Sequence, residues 1–293
     1  MTTLVQQVKG RLSIHVRRRS VALLDGGYAS IHKGRSMDFD DLREYIAGDD
    51  VRDIDWKASA RHGSMLIKRY VAERHFTLVV VMPAGREMAA RAAGGEVKRD
   101  VAVLATGVLG YLAVRHGDDV AMVSGPPGRM RMTRSQSSEG HLEMVLQQVL
   151  AQSEPDSPSG DLPELLRHVA RTIRGRKVLL VVADDGVVPA AVEDTLRTLR
   201  LRHEVLWIDV ADLDPLSLPA DAVVRDVTSP APLPDLLTVD PELARSFAAV
   251  EAGRRHEVDE MLKRTDVSAA RVGHTAEVVP TLVRMLEKRR RGR

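Results

Sequence analysis

Two short apolar runs constrain this chain more than any other feature of it. Phe76 to Met82 (FTLVVVM) and Lys177 to Ala183 (KVLLVVA) are rich in β-branched residues and show almost no polar alternation. A strand apolar at consecutive positions must be covered on both faces, as the central strands of a parallel sheet are. Helical spacing follows the first run through Val101, Leu104, Ala105, Val108 and Leu112, with Gly117 placed to end the helix. Asp119 to Ser124 and Glu204 to Asp209 read as further strands. Leu142 to Leu150, Leu165 to Ile173 and Ala190 to Arg202 read as helices, and Ser153 to Gly160 as the loop between the first two. Alternation of this kind requires crossover connections, and it predicts an α/β fold: a doubly wound, Rossmann-like, mainly parallel sheet with helices on both faces.

The pattern divides the chain into three parts: 1–75, 76–226 for the alternating unit, and 227–293. Beyond the proline-rich stretch from Pro215 to Pro241, Glu242 to Leu262 and Thr281 to Arg290 predict helices packed on the main unit, then a basic tail. No repeat of fixed period is present, which argues against a solenoid.

Composition removes several function classes. The 293 residues include no cysteine, which excludes disulfides, thiolate metal sites and cysteine nucleophiles and fits a cytoplasmic location. The most apolar stretch, Val101 to Val114, contains Gly107 and Gly110 and falls short of the roughly 20 residues of a bilayer span, so no membrane span is expected. The N-terminus lacks the apolar core of a signal peptide. Net charge is only +2, yet both ends are locally basic, at Arg17 to Arg19 and at Lys288 to Arg291 with Arg293. Solvated ends explain this, and nonspecific binding of nucleic acid phosphates is the rival reading. GxSxG, HExxH, GxxxxGK[ST] and GxGxxG are all absent, and the histidines are scattered without metal-like pairs; no enzyme and no cofactor are expected.

Residues 28 to 76 stand apart. They hold Tyr28, Phe39, Tyr45, Trp56, Tyr70 and Phe76, six of the chain's nine aromatic residues, interleaved with charge. Asp38 is placed to cap a short helix with the stripe Phe39, Leu42, Tyr45 and Ile46, ended by Gly48. Ile54, Trp56 and Ala58 to Arg61 predict a further helical turn ending near Gly63, before a strand from Met65 to Tyr70. Arg43, Glu44, Asp49, Asp50, Arg52, Asp55, Lys57 and Arg61 can form ion pairs that fix a surface loop, or, with Trp56, a surface for a partner. A third reading gives Asp49, Asp50, Asp53 and Asp55 to a hard cation, although the EF-hand spacing and its central glycine are missing.

This segment, from Gly34-Arg35-Ser36 through Phe39-Asp40-Asp41-Leu42-Arg43-Glu44-Tyr45-Ile46-Ala47-Gly48-Asp49-Asp50-Val51-Arg52-Asp53-Ile54-Asp55-Trp56-Lys57-Ala58-Ser59-Ala60-Arg61, resembles the bacterial family called domain of unknown function 58. The resemblance continues more weakly to about residue 225 and implies a von Willebrand factor A-like fold. It also implies a partner or adaptor role beside a MoxR-type AAA+ ATPase, acting on a client protein. In von Willebrand A domains an Asp-x-Ser-x-Ser run after the first strand, with a later Thr and Asp, holds a divalent cation through oxygen ligands of the kind magnesium prefers. Here Pro83, Gly85 and Glu87 stand at the first three positions and Gly160 at that of the Thr, while Asp184 matches the last. Arg86 brings a positive charge that Glu87 or Asp184 is expected to pair, and no metal is expected.

Overall fold

The computed structural model describes residues 2–15, 19–32, 37–72, 76–83, 85–219, 224–229 and 240–291. Its centre is a six-stranded sheet of β3 (Thr77–Val81), β4 (Asp119–Ser124), β5 (Arg131–Met132), β6 (Val178–Asp184), β7 (Glu204–Val210) and β8 (Ser268–Val272), in the order β5-β4-β3-β6-β7-β8. All neighbours are parallel except β5, which runs antiparallel to β4. The chain winds outward one way from β3 and then the other way from β6, so the direction reverses between these two strands. That reversal opens a crevice at their carboxyl ends.

The apolar runs split by period two. Leu78, Val80, Leu180, Val182, Leu206 and Ile208 enter one core layer, and Val79, Val81, Leu179, Val181, Val205 and Trp207 the other. The first layer is closed by α1 (Leu4–His15), α2 (Arg19–His32), α4 (Lys98–Arg115), α5 (Glu139–Ala151) and α9 (Thr275–Arg291); the second by α6 (Leu162–Thr172), α7 (Pro189–Arg202) and α8 (Pro241–Arg264). The fold is therefore the α/β, doubly wound, mainly parallel sheet that the alternation predicts. Gly107 and Gly110 are contact points: a Cβ there would come within 2.5 Å of Val8 and of Leu142. Their lack of side chains lets α1 and α5 close onto α4. Among the described residues no helix is long and apolar enough to cross a membrane.

Three elements differ from the sequence reading. Asp38 to Gly48 is not helical: β1 (Met37–Glu44) pairs antiparallel with β2 (Leu66–Ala72) in a separate two-stranded sheet, with an irregularity between Phe39 and Asp41. The partner strand lies beyond the turn, and this non-local pairing overrides the local helix signals. Between the two helices expected after residue 227 the chain supplies β8, the sixth strand of the sheet, which the sequence reading did not assign. The N-terminal part is not merely a basic end. Val5, Val8 and Leu12 of α1 and Leu24, Tyr28 and Ile31 of α2 are buried in the first core layer, while Arg17 and Arg18 lie outside the described residues.

The C-terminal run is likewise part of the body. Arg289 is buried and ion-paired with Glu204 at the start of β7, whereas Lys288, Arg290 and Arg291 are exposed. A freely solvated basic tail does not describe Arg289.

Candidate functional site

Two places gather the residues singled out from sequence. The first is the turn that joins β1 to β2. Arg43 grips Asp49 in a bidentate pair, both contacts at 2.7 Å, and Asp49 Oδ2 also accepts the Ile46 amide at 3.0 Å. The guanidinium, then the amide, hold the Asp49 carboxyl below its usual range. One residue on, Asp50 caps a short 3₁₀ turn (Val51–Asp53) through the Arg52 amide and also binds the Arg52 side chain. Arg52 hydrogen bonds draw the Asp50 carboxyl down to about 2.

Asp55 caps α3 (Trp56–His62), accepting the amides of Lys57 at 3.1 Å and Ala58 at 3.0 Å, and Gly63 ends that helix in the left-handed conformation. Ser59 Oγ accepts the Leu66 amide, tying the helix to β2. These contacts fix the backbone from Arg43 to Leu66 with Gly48 at a positive φ in the turn and Tyr45 half-buried. They also spend the acids: Asp49, Asp50 and Asp55 each serve a different local partner rather than a common centre. Glu44, Lys57 and Arg61 face solvent. Ile46 (65% exposed), Val51 (61%), Trp56 (66%) and Met65 (52%) do so as well, an unusual set of apolar side chains on one short, braced segment. Gly34, Arg35 and Ser36 of the motif lie outside the described residues.

The second place is the crevice at the carboxyl ends of β3, β6 and β7, a cleft of about 730 Å³ with Phe247, Glu251 and Arg254 of α8 along one side. Among the described residues, none lining it comes from the β1–β2 segment. Asp184 and Asp185 reach it from β6 and Asp212 from just beyond β7. Lys98, the first residue of α4, is 1% exposed and places its ammonium 2.6 Å from Asp212 Oδ1 and 3.7 Å from Asp184 Oδ2. Asp185 and Asp209 share Arg271 of β8, and Asp185 Oδ2 also accepts the Asp212 amide at 2.9 Å. Burial alone would raise Asp185, but the guanidinium and the amide hold it below its usual range. Burial, with the Asp185 charge beside it, pushes Asp209 up to about 7. Burial also raises Asp212, against the pull of Lys98.

Pro83, Gly85, Glu87, Gly160 and Asp184 do meet at this edge, and the contacts among them decide what can bind. Glu87 Oε2 accepts the Gly160 amide at 3.0 Å, and a Cβ on Gly85 would lie 2.0 Å from that oxygen and 2.6 Å from the Gly160 nitrogen. The Glu87 carboxylate thus fills the space a hydroxyl ligand at position 85 would need. Arg86 pairs with neither Glu87 nor Asp184; its Nε donates to the Ser157 carbonyl at 2.8 Å, so the loop from Ser153 to Gly160 holds it instead. Among the described residues no three His, Asp or Glu side chains could hold a metal ion. The donor set does not fit the divalent cation of the von Willebrand A pattern.

A family model described as protein of unknown function DUF58 matches residues 41–259. The chain belongs to the DUF58 family. An uncharacterized protein of Mycobacterium tuberculosis is 26% identical to this DUF58 chain over 286 residues, covering 96% of it and 88% of the relative. An uncharacterized protein of Mycobacterium avium is 28% identical over 167 residues, covering 55% of this chain and 96% of the relative. Among solved structures, a von Willebrand factor type A protein from Catenulispora acidiphila superposes with a TM-score of 0.43 and 11% identity, over 76% of this chain and 44% of that one. An aerotolerance-related membrane protein from Bacteroides fragilis superposes with a TM-score of 0.44 and 14% identity, over 73% of this chain and 99% of that one.

Sequence reasoning reached Asp184 because it ends a buried run, but it passed over Lys98, Asp209, Asp212 and Arg271 of this DUF58 cleft. A lysine opening an otherwise buried helix, and two acids closing a buried strand, are the signals that could have found three of them.

Proposed function

We propose that this DUF58 protein is a non-catalytic interaction module whose β1–β2 turn and α3 dock a MoxR-type AAA+ ATPase that acts on a client protein. The observation that carries the reading is the exposure of Trp56 on a segment whose backbone is already fixed by the Arg43–Asp49 and Asp50–Arg52 pairs. A tryptophan adds little to folding when two thirds of it faces water, whereas a rigidly presented aromatic side chain is the usual anchor of an interface. Ile46, Val51 and Met65 supply apolar surface on the same segment, and Glu44, Lys57 and Arg61 supply charge. The choice of partner class rests on the resemblance of this motif to its family.

The test is binding of a purified MoxR-type ATPase from the same organism to the immobilised full chain. Trp56→Ala is expected to weaken capture roughly tenfold or more while leaving the melting temperature unchanged; Arg52→Ala is expected to act in the same direction. Equal capture by wild type and Trp56→Ala, or no capture by either, removes this reading.

A further inference from the structure

The edge of the sheet that the von Willebrand A pattern gives to a divalent cation is built here around a cation that belongs to the chain. The Lys98 ammonium is almost fully buried, 2.6 Å from Asp212 and 3.7 Å from Asp184. A desolvated ammonium persists only when carboxylates compensate it, and two clustered carboxylates in turn need a positive charge between them. Lys98 opens α4 directly after a stretch that is hydrogen-bonded to the chain at Asp212, Leu213 N to the Arg91 carbonyl at 3.0 Å and Ala93 N to the Ala211 carbonyl at 2.9 Å, so its ammonium is held where the carboxylates that follow β7 and end β6 converge. We infer that Lys98 is a permanent internal replacement for the exchangeable cation, so that this edge takes up no magnesium or manganese until Lys98 is removed.

The inference is independent of the docking surface and its test reads metal directly. Manganese is titrated into the purified full chain while the electron paramagnetic resonance signal of free metal is followed, for wild type, Asp184→Asn, Lys98→Met and Lys98→Met/Asp184→Asn. Wild type is expected to leave the free signal undiminished. Lys98→Met is expected to melt roughly 10 °C lower, to bind manganese, and to regain part of the lost melting temperature on binding, all of which Asp184→Asn abolishes. Manganese binding by wild type that Asp184→Asn removes overturns the inference, as does a folded Lys98→Met protein that binds none. If Lys98→Met does not fold without metal, it is refolded in the presence of manganese: recovery of the fold with metal uptake supports the inference, and no recovery overturns it.

Discussion

The hydroxyl of Tyr28 donates a 2.9 Å hydrogen bond to Oδ2 of Asp118, whose Oδ1 accepts the Phe76 amide at 2.8 Å. One fully buried carboxylate thereby fastens α2 to the entry of β3, and the Tyr28 ring stacks on His116 beside it, centroids 5.5 Å apart. Burial, then the Asp118 charge, holds the Tyr28 hydroxyl well above its usual pKa, which keeps it the donor of this bond. Tyr28→Phe removes a hydrogen bond to a charged acceptor and is expected to cost about 1.5–3 kcal/mol. Asp118→Ala leaves both donors buried without this acceptor and is expected to cost more. Urea unfolding of the two variants checks the order.

A second buried contact fixes the C-terminus. Arg289 and Glu204, 4% and 3% exposed at their side chains, pair at the start of β7, with Arg200 3.7 Å from the other Glu204 oxygen. Arg289→Ala removes one partner of a buried pair and is expected to cost about 3–5 kcal/mol. Replacing both residues by leucine is expected to recover much of that loss, because no uncompensated charge stays inside. A chain whose basic end is only solvated would show no change in a thermal melt of Arg289→Ala.

What the sequence made legible follows from how local each signal is. The central strands announce themselves because FTLVVVM and VLLVVA are apolar at every position but Thr77, and α3 announces itself through Ile54, Trp56 and Ala58 to Arg61 with Gly63 to end it. β8 does not: only Ala270 and Val272 of its five residues are buried, and it carries Arg271, whose reason lies 86 residues away at Asp185. β1 reads as a capped helix because acids and a terminal glycine imitate one, while the strand that overrules this comes after the turn. The cleft was half legible for the same reason. Asp184 is marked by its place at the end of a strand, but Lys98 acquires meaning only beside Asp212, 114 residues on.

His203 gives the protein an acid limit. Buried at the end of α7, and flanked by Arg202, Lys177 and Arg176, its imidazole is pushed down from 6.5 to about 4, with burial the larger cause. A depressed base contributes stability that is present above pH 6.5 and is lost as pH falls toward 4. The loss attributable to this group is up to roughly 3 kcal/mol. Measured by denaturant at pH 7 and at pH 4, the stability advantage of wild type over His203→Leu is expected to shrink on acidification. An advantage that is constant or grows would rule out the titration of His203 as a source of acid lability.

Asp209 acts in the opposite sense and in a different window. Its carboxyl is raised from 3.8 to about 7, chiefly by burial and then by Asp185, so folding favours the protonated form. The stability it contributes is complete below pH 3.8 and is lost as pH climbs through 7. Asp185, held low by Arg271 and the Asp212 amide, contributes stability above the usual carboxylate range and loses it only in acid, so its effect does not mask that of Asp209 between pH 5 and 8. Asp209→Asn keeps an oxygen for Arg271 and removes the titration. Relative to wild type it is therefore expected to gain on the order of 2 kcal/mol between pH 5 and pH 8. Unfolding curves at the two values check this: a gap between variant and wild type that stays constant would mean that Arg271 neutralises both carboxylates at once and that neither proton is retained in the folded cleft.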